Sequence, residues 1–498
     1  MRKKNVLVIG SGIAGLTAAL KLAHGGQNVR IVERHASVGG KLRNIPSSAG
    51  PVDAGPTVFT LKYLFDELFH EVDENLDDHL ELIEEPLLAR HFWPDSSKLD
   101  LFSNLEKNLV EIRNFAGKKS ALEFENFSIV SKKLFSCFET PILKSSKPSL
   151  VSAGYNSLLA GPRILRLLTT GKTLYDLVSS QFSDRRLQQL FSRYATYVGG
   201  SPFSSPAILA LIWHVETLGV WRAKGGLSEL AQTLKRLCEQ RNVTFTLNKN
   251  VIEITKKNGR VTGALIEDGE IISADQILFN GDPRAIHTGL LGQTIKSIVS
   301  KNNINPRSLS AYVWSFGAET DNDEIAHHNI FFNNEYRSEF DDINKGRMPQ
   351  NPSLYVCAED RGTGKVKKIK ERFEIIMNAP PHVSGRNEFF NGEKEFLLCQ
   401  ERTFEPLTRS GLSFKELPAR KTLTTPKKFQ EMFPDSQGSL YGLSPSSLMA
   451  TFRRPSPRTK VKGLYLAGGG VHPGPGVPMA MLSGKHAADM MIEDQTLT

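Results

Sequence analysis

Short apolar runs cut off by glycine punctuate the chain, and the first is the clearest. Val6-Leu7-Val8-Ile9 runs into Gly10-Ser11-Gly12-Ile13-Ala14-Gly15, after which apolar positions recur at Ile13, Leu16, Leu20 and Leu22. A second run, Gln27-Asn28-Val29-Arg30-Ile31-Val32, stops at Glu33. The pattern passes from buried strand to amphipathic helix and back, which predicts strand, glycine turn, helix and strand.

The same alternation returns later. Beyond Gly225-Gly226-Leu227, residues Leu230, Leu234 and Leu237 mark a helix. Val243-Thr244-Phe245-Thr246, Val251-Ile252-Glu253-Ile254, Val261-Thr262-Gly263-Ala264-Leu265-Ile266 and Gln276-Ile277-Leu278-Phe279 read as strands, parted by turns such as Lys257-Asn258-Gly259. Near the C-terminus, Gly463-Leu464-Tyr465-Leu466 enters a glycine and proline turn, and a helix of Met479, Leu482, Ala487 and Met490 follows with Pro478 in its first turn. The expected fold is α/β. Residues 1–87, 216–285 and 440–498 would form one discontinuous Rossmann-like nucleotide domain. Residues 88–215 and 286–439 would form an inserted mixed α+β domain for substrate and membrane docking.

The glycines carry chemistry. Gly10 permits the tight turn, Gly12 lets the backbone approach a pyrophosphate, and Gly15 lets the helix pack on the strand. The helix N-terminus that follows, at Ile13 and Ala14, presents unpaired N–H groups to an anion. Glu33 lies 33 − 15 = 18 residues past the last glycine, near the roughly 20 expected of a carboxylate that binds an adenosine ribose. Glu33 also argues against a 2′-phosphate beside Arg34, so NADP is disfavoured. Next come Gly39-Gly40-Lys41. This continuation resembles the FAD fingerprint of the glutathione-reductase-like amine oxidase and desaturase superfamily, in which such residues follow the FAD diphosphate.

Bulk properties set limits. With 498 residues, 40% of them hydrophobic, the chain can bury a core larger than one ordinary domain. The net charge of +9 suits an anionic surface, and the absence of any nucleic-acid motif favours lipid over nucleic acid. Cys137, Cys238, Cys357 and Cys399 lack metal or disulfide spacing, so reduced buried thiols and no metal are expected. Arg2-Lys3-Lys4 imitates a signal peptide, but Gly10 interrupts the apolar run that the first strand needs. No run approaches the roughly 18 residues of a spanning helix. The expected place is the cytoplasm, at the inner face of the cell membrane.

Four further blocks sharpen the resemblance: Tyr194-Ala195-Thr196-Tyr197-Val198-Gly199-Gly200-Ser201-Pro202-Phe203, Gly219-Val220-Trp221, Asn280-Gly281-Asp282-Pro283 and Gly474-Pro475-Gly476-Val477-Pro478. Together they resemble the bacterial carotenoid (phytoene-type) desaturases from end to end. Asn378-Ala379-Pro380-Pro381 and the glycine run before His472 are most similar to the 1-hydroxycarotenoid 3,4-desaturase branch. The resemblance implies FAD as cofactor, with contacts at Gly10, Ser11, Gly12, Ile13, Ala14, Gly15, Glu33, Arg34, Gly39, Gly40, Lys41, Gly55, Val251, Gly469, Gly476 and Val477. In place of the superfamily's usual Ala-Gly-Asp stands Ala467-Gly468-Gly469, so backbone groups must replace a carboxylate at the ribityl chain.

The implied reaction moves a hydride from an allylic carbon of a polyene to the flavin, with oxygen or a membrane quinone as final acceptor. A carotenoid offers little to hydrogen-bond, so few polar catalytic side chains are expected. Asp184 is either a polar group near the polyene or a solvated helix carboxylate. His472 either contacts flavin or substrate or is bonded to backbone, and Glu216 is either catalytic or part of a buried salt bridge. Residues 141–178 set Lys144, Lys147, Arg163, Arg166 and Lys172 among Leu158, Leu159, Ile164, Leu165, Leu167 and Leu168, a basic amphipathic pattern for anionic lipid. A phytoene desaturase, a carotenoid isomerase, a retinol saturase, an amine oxidase and a GDP-dissociation-inhibitor-like binding protein remain alternatives.

Overall fold

A computed structural model describes residues 3–366, 368–383 and 392–496. Its centre is a five-stranded parallel sheet in the order Thr244–Thr246, Asn28–Val32, Asn5–Ile9, Gln276–Phe279, Leu464–Leu466. Three stretches far apart in the chain therefore close one sheet. Such strands are buried on both faces and need apolar side chains at successive positions, as Val6, Leu7 and Val8 supply. Helices Ile13–His24, Ser228–Gln240 and Val477–Thr496 cover one face, burying Leu16, Leu20, Leu234 and Leu482. The small antiparallel sheet Val251–Lys257, Arg260–Ile266, Ile271–Ser273 helps bury the other. The expected turn between its first two strands has Asn258 and Gly259 at φ of 52° and 76°, the left-handed pair that suits a tight hairpin.

A second, seven-stranded sheet runs Leu423–Thr424, Ser310–Ala318, Glu371–Ala379, Leu354–Ala358, His328–Phe331, Leu87–Phe92, Lys98–Phe102. All its pairings are antiparallel except His328–Phe331 with Leu87–Phe92. Beside it lies a helical layer led by Leu105–Phe138, which breaks at Gly117 (φ 88°). Phe124, Phe127, Phe191 and Trp213 fill that layer. The α/β class with a mixed α+β insertion is thus realised.

Candidate functional site

The first turn is shaped by missing side chains. A Cβ on Gly15 would stand 2.2 Å from the Gly10 carbonyl oxygen and 2.7 Å from the Asn280 side-chain nitrogen. Asn280, just past the neighbouring strand, donates to that same carbonyl at 3.2 Å and locks the turn. The helix Ile13–His24 starts at Gly12 without a side-chain cap, which leaves its first N–H groups to an anion.

Glu33 closes the far side. Its Oε2 accepts from the Ser11 N–H and hydroxyl, both at 2.8 Å, and its Oε1 accepts from the His35 N–H at 2.9 Å. A carboxylate has about four acceptor positions, so Oε1 keeps one for a ribose hydroxyl. Backbone bonds from Glu33 to Thr246 and Lys249 hold the loop that carries Val251 to the same rim. Ser11 and Gly15 stand behind the wall as supports. The other residues expected at FAD line one cavity of about 550 Å³.

Lys41 lies in that wall, donating to the Leu440 carbonyl, with the Phe433 ring centroid 5.6 Å away. Desolvation pulls its pKa down to about 8, against the attraction of Asp282 and with help from Arg307. Sequence reasoning missed Arg454, whose guanidinium donates to the carbonyls of Tyr441, Gly469 and Leu443 at 3.1, 3.0 and 2.8 Å. It ties the glycine run to the segment before it, so backbone here is held by a buried cation. Burial, aided by Arg307, lowers its pKa to about 10. No local pattern announces a lone arginine fifteen residues from its target.

From this end the cavity continues between the helical layer and the seven-stranded sheet, past Ile212, Val215, Ile330, Leu354 and Ile376. The chamber is lined mainly by apolar surface. Its wall also carries more polar groups than expected: Thr57, Arg193, Tyr197, Glu216, Tyr355 and Glu374 all face it. Thr57 Oγ1 lies 2.6 Å from the Tyr355 hydroxyl, which lies 2.7 Å from His328 Nδ1. Burial, with Glu359 and Asp53 nearby, raises the Glu374 pKa well above the carboxylate range.

The three catalytic candidates separate. Glu216 is in the wall and accepts from the hydroxyls of Tyr194, at 2.6 Å, and Tyr197. Asp184 is not among the lining residues. It caps the helix Arg185–Ser192 through the Arg186 N–H and pairs with the Arg186 side chain at 2.8 Å. Burial alone would raise its pKa, but those hydrogen bonds hold it below the usual range. His472 is also displaced from the wall: Nε2 donates to the Ser145 carbonyl at 2.8 Å and the ring stacks on His486. His472 is thus bonded to backbone.

Although sequence spacing gives no metal motif, pairing of neighbouring strands gathers His327, His328 and Cys357 with ligand atoms within 4.8 Å. All four cysteines are buried and unpaired, as expected. Desolvation raises the Cys357 thiol pKa.

Residues 13–296 match the sequence model of the flavin containing amine oxidoreductases. The chain is 46% identical to a hydroxyneurosporene desaturase of Cereibacter sphaeroides, covering 98% of this chain and 97% of the relative. It is 31% identical to a 1-hydroxycarotenoid 3,4-desaturase of a Flavobacterium species, covering 98% and 99%. Among solved structures, a cyclohexylamine oxidase from Brevibacterium oxydans shares the fold with a TM-score of 0.58 at 12% identity, over 99% and 100% of the two chains.

Proposed function

The chain belongs to the family of flavin containing amine oxidoreductases, and on that premise we propose that it is an FAD-dependent desaturase of acyclic carotenoids hydroxylated at one end. The observation that carries the reading is the single cavity that joins the glycine turn to the apolar chamber. When bound, FAD supplies the hydride acceptor. The glycine turn, Glu33 and Lys41 seat its adenosine and diphosphate, while Gly55, Gly469, Gly476 and Val477 line the same cavity further on. Residues 1–87, 216–285 and 440–498 mainly serve the cofactor, and 88–215 with 286–439 mainly serve the substrate, while Thr57 and Glu216 of the first set reach the chamber wall.

The chamber orients the polyene by shape and excludes water. For the proton lost from the carbon next to the one that gives up hydride, the wall offers the chain Thr57, Tyr355, His328. A carbon activated by hydride loss is a strong acid, so hydroxyl oxygens suffice to pass its proton to the buried imidazole. Substrate enters from a bilayer against which the helix Leu150–Leu159 lies. Its Val151, Tyr155, Leu158 and Leu159 are 60–84% exposed, an apolar face for the lipid boundary. Among the described residues no helix is long and apolar enough to cross a membrane. Electrons leave to oxygen or a membrane quinone, because the sequence carries one dinucleotide fingerprint only.

Expression in cells that accumulate either phytoene or 1-hydroxylated acyclic carotenoids tests the proposal. A loss of two hydrogens with a red shift, in the hydroxylated strain alone, is the expected result. Conversion of phytoene would move the protein to the multistep desaturases, and unchanged pigment in both strains would overturn the reading.

A further inference from the structure

Arg193 and Glu216 form a charge pair in the wall of a chamber shaped for a hydrocarbon. They do not touch directly. The carboxylate accepts from the Tyr194 and Tyr197 hydroxyls, and Arg193 Nη1 donates to the Tyr197 hydroxyl at 3.4 Å. The guanidinium lies 5.4 and 5.1 Å from the ring centroids of Tyr194 and Tyr197, and only 9% of the residue is exposed. Among the described residues its one hydrogen bond is that long contact with Tyr197, and Nε is enclosed without any partner. A guanidinium has about five N–H donors. Burying them unused is unfavourable, and a pure hydrocarbon ligand cannot relieve it.

The charge balance narrows the ligand. Glu216 already offsets Arg193, so an anionic ligand would leave an excess negative charge out of water, whereas a neutral acceptor leaves the pair intact. An alcohol oxygen is such an acceptor. Position matters as well: the name of the Flavobacterium relative places hydroxyl at carbon 1 and the new double bond at 3,4, two carbons away. A pocket for that hydroxyl must adjoin the place of oxidation. Arg193 and Tyr197 share their cavity with Gly55, Thr57 and Tyr355, and Tyr355 is bonded to Thr57.

We infer that Arg193 donates to the hydroxyl oxygen at the reacting end of the substrate, so that this contact fixes which carbon–carbon bond meets the cofactor. The inference rests on the desaturase reading above and adds its specificity-determining residue. Tyr197 and Glu216 are positioning residues that hold the guanidinium at the wall.

The test compares a 1-hydroxylated acyclic carotenoid with the same chain lacking the hydroxyl, using FAD-loaded protein. Turnover is measured beside equilibrium binding, followed by the shift of the polyene absorption band. Wild-type protein should favour the hydroxylated chain by about tenfold or more, as expected of a hydrogen bond to a charged group. Arg193→Met with Glu216→Gln removes both charges together and should abolish the preference in binding and in kcat/KM, while FAD content holds. Arg193→Lys, which keeps the charge but not the fork, should retain part of it. Should the double variant lose FAD, Arg193→Lys decides: an undiminished preference overturns the inference. It also falls if the double variant keeps both FAD and preference, or if wild-type protein treats the two chains alike. Wild-type protein that desaturates neither removes the underlying desaturase reading and the inference with it.

Discussion

Lys41 shows how one side chain ties cofactor binding to pH. Its amine would keep a proton to about 10.5 in the unfolded chain but only to about 8 in the fold. Between these values the unfolded state holds more protons, so the stability of the cofactor-free protein should rise as pH climbs from 8 to 10.5. A diphosphate favours the charged amine. FAD binding should therefore take up a proton above pH 8 and weaken with rising pH, which calorimetric titration of the apoprotein in two buffers of different ionisation heat, repeated at several pH values, would show. Gly15→Ala places a Cβ against the Gly10 carbonyl and should lose about 1–3 kcal/mol of stability together with FAD, read by thermal unfolding and flavin absorbance. Tyr355→Phe should lower turnover by about a hundredfold with FAD content intact; loss of FAD instead would assign Tyr355 a structural role. Gly10, Gly12 and Gly15 were legible in the sequence because a steric requirement acts on neighbours along the chain. Arg454 and His328 were not, because each meets its partners across a turn or a strand pairing that no local pattern announces.

At the scale of elements, the strands flanking the glycine turns could be read directly, since apolar runs bounded by glycine have few other uses. The seven-stranded sheet was harder. Ser310–Ala318 is buried at nearly every position, so it lacks the alternation that marks a strand with one wet face. The proposed docking region also changes shape. Lys144 pairs with Glu67 at 2.7 Å, and Lys147 lies 3.8 Å from Glu493. Ile164 is buried. Two of the five cations are therefore already paired with carboxylates, and the exposed apolar side chains of Val151, Tyr155, Leu158 and Leu159 carry the argument. Changing Val151, Tyr155, Leu158 and Leu159 to serine should abolish co-sedimentation with anionic liposomes. Exposed positions contribute little to folding, so stability should shift by no more than about 0.5 kcal/mol per site. Undiminished co-sedimentation would place the contact elsewhere.

For the molecule as a whole, the cofactor end and the substrate end share one cavity, so FAD should stabilise both. At about 100 times its Kd, a ligand of the native state adds about 2.7 kcal/mol, and the midpoint of thermal unfolding should climb with FAD concentration in a single transition. Two transitions, only one of them moved by FAD, would show that the two ends unfold independently. The parallel sheet has a further consequence in time. Its first strands leave the ribosome early, yet the strand Leu464–Leu466 and the helix Val477–Thr496 that complete it emerge hundreds of residues later. At about 5–20 residues per second, the unfinished sheet waits tens of seconds with apolar faces uncovered. Nascent protein should thus depend on chaperones until that strand and helix are free, and flavin capture should wait for them.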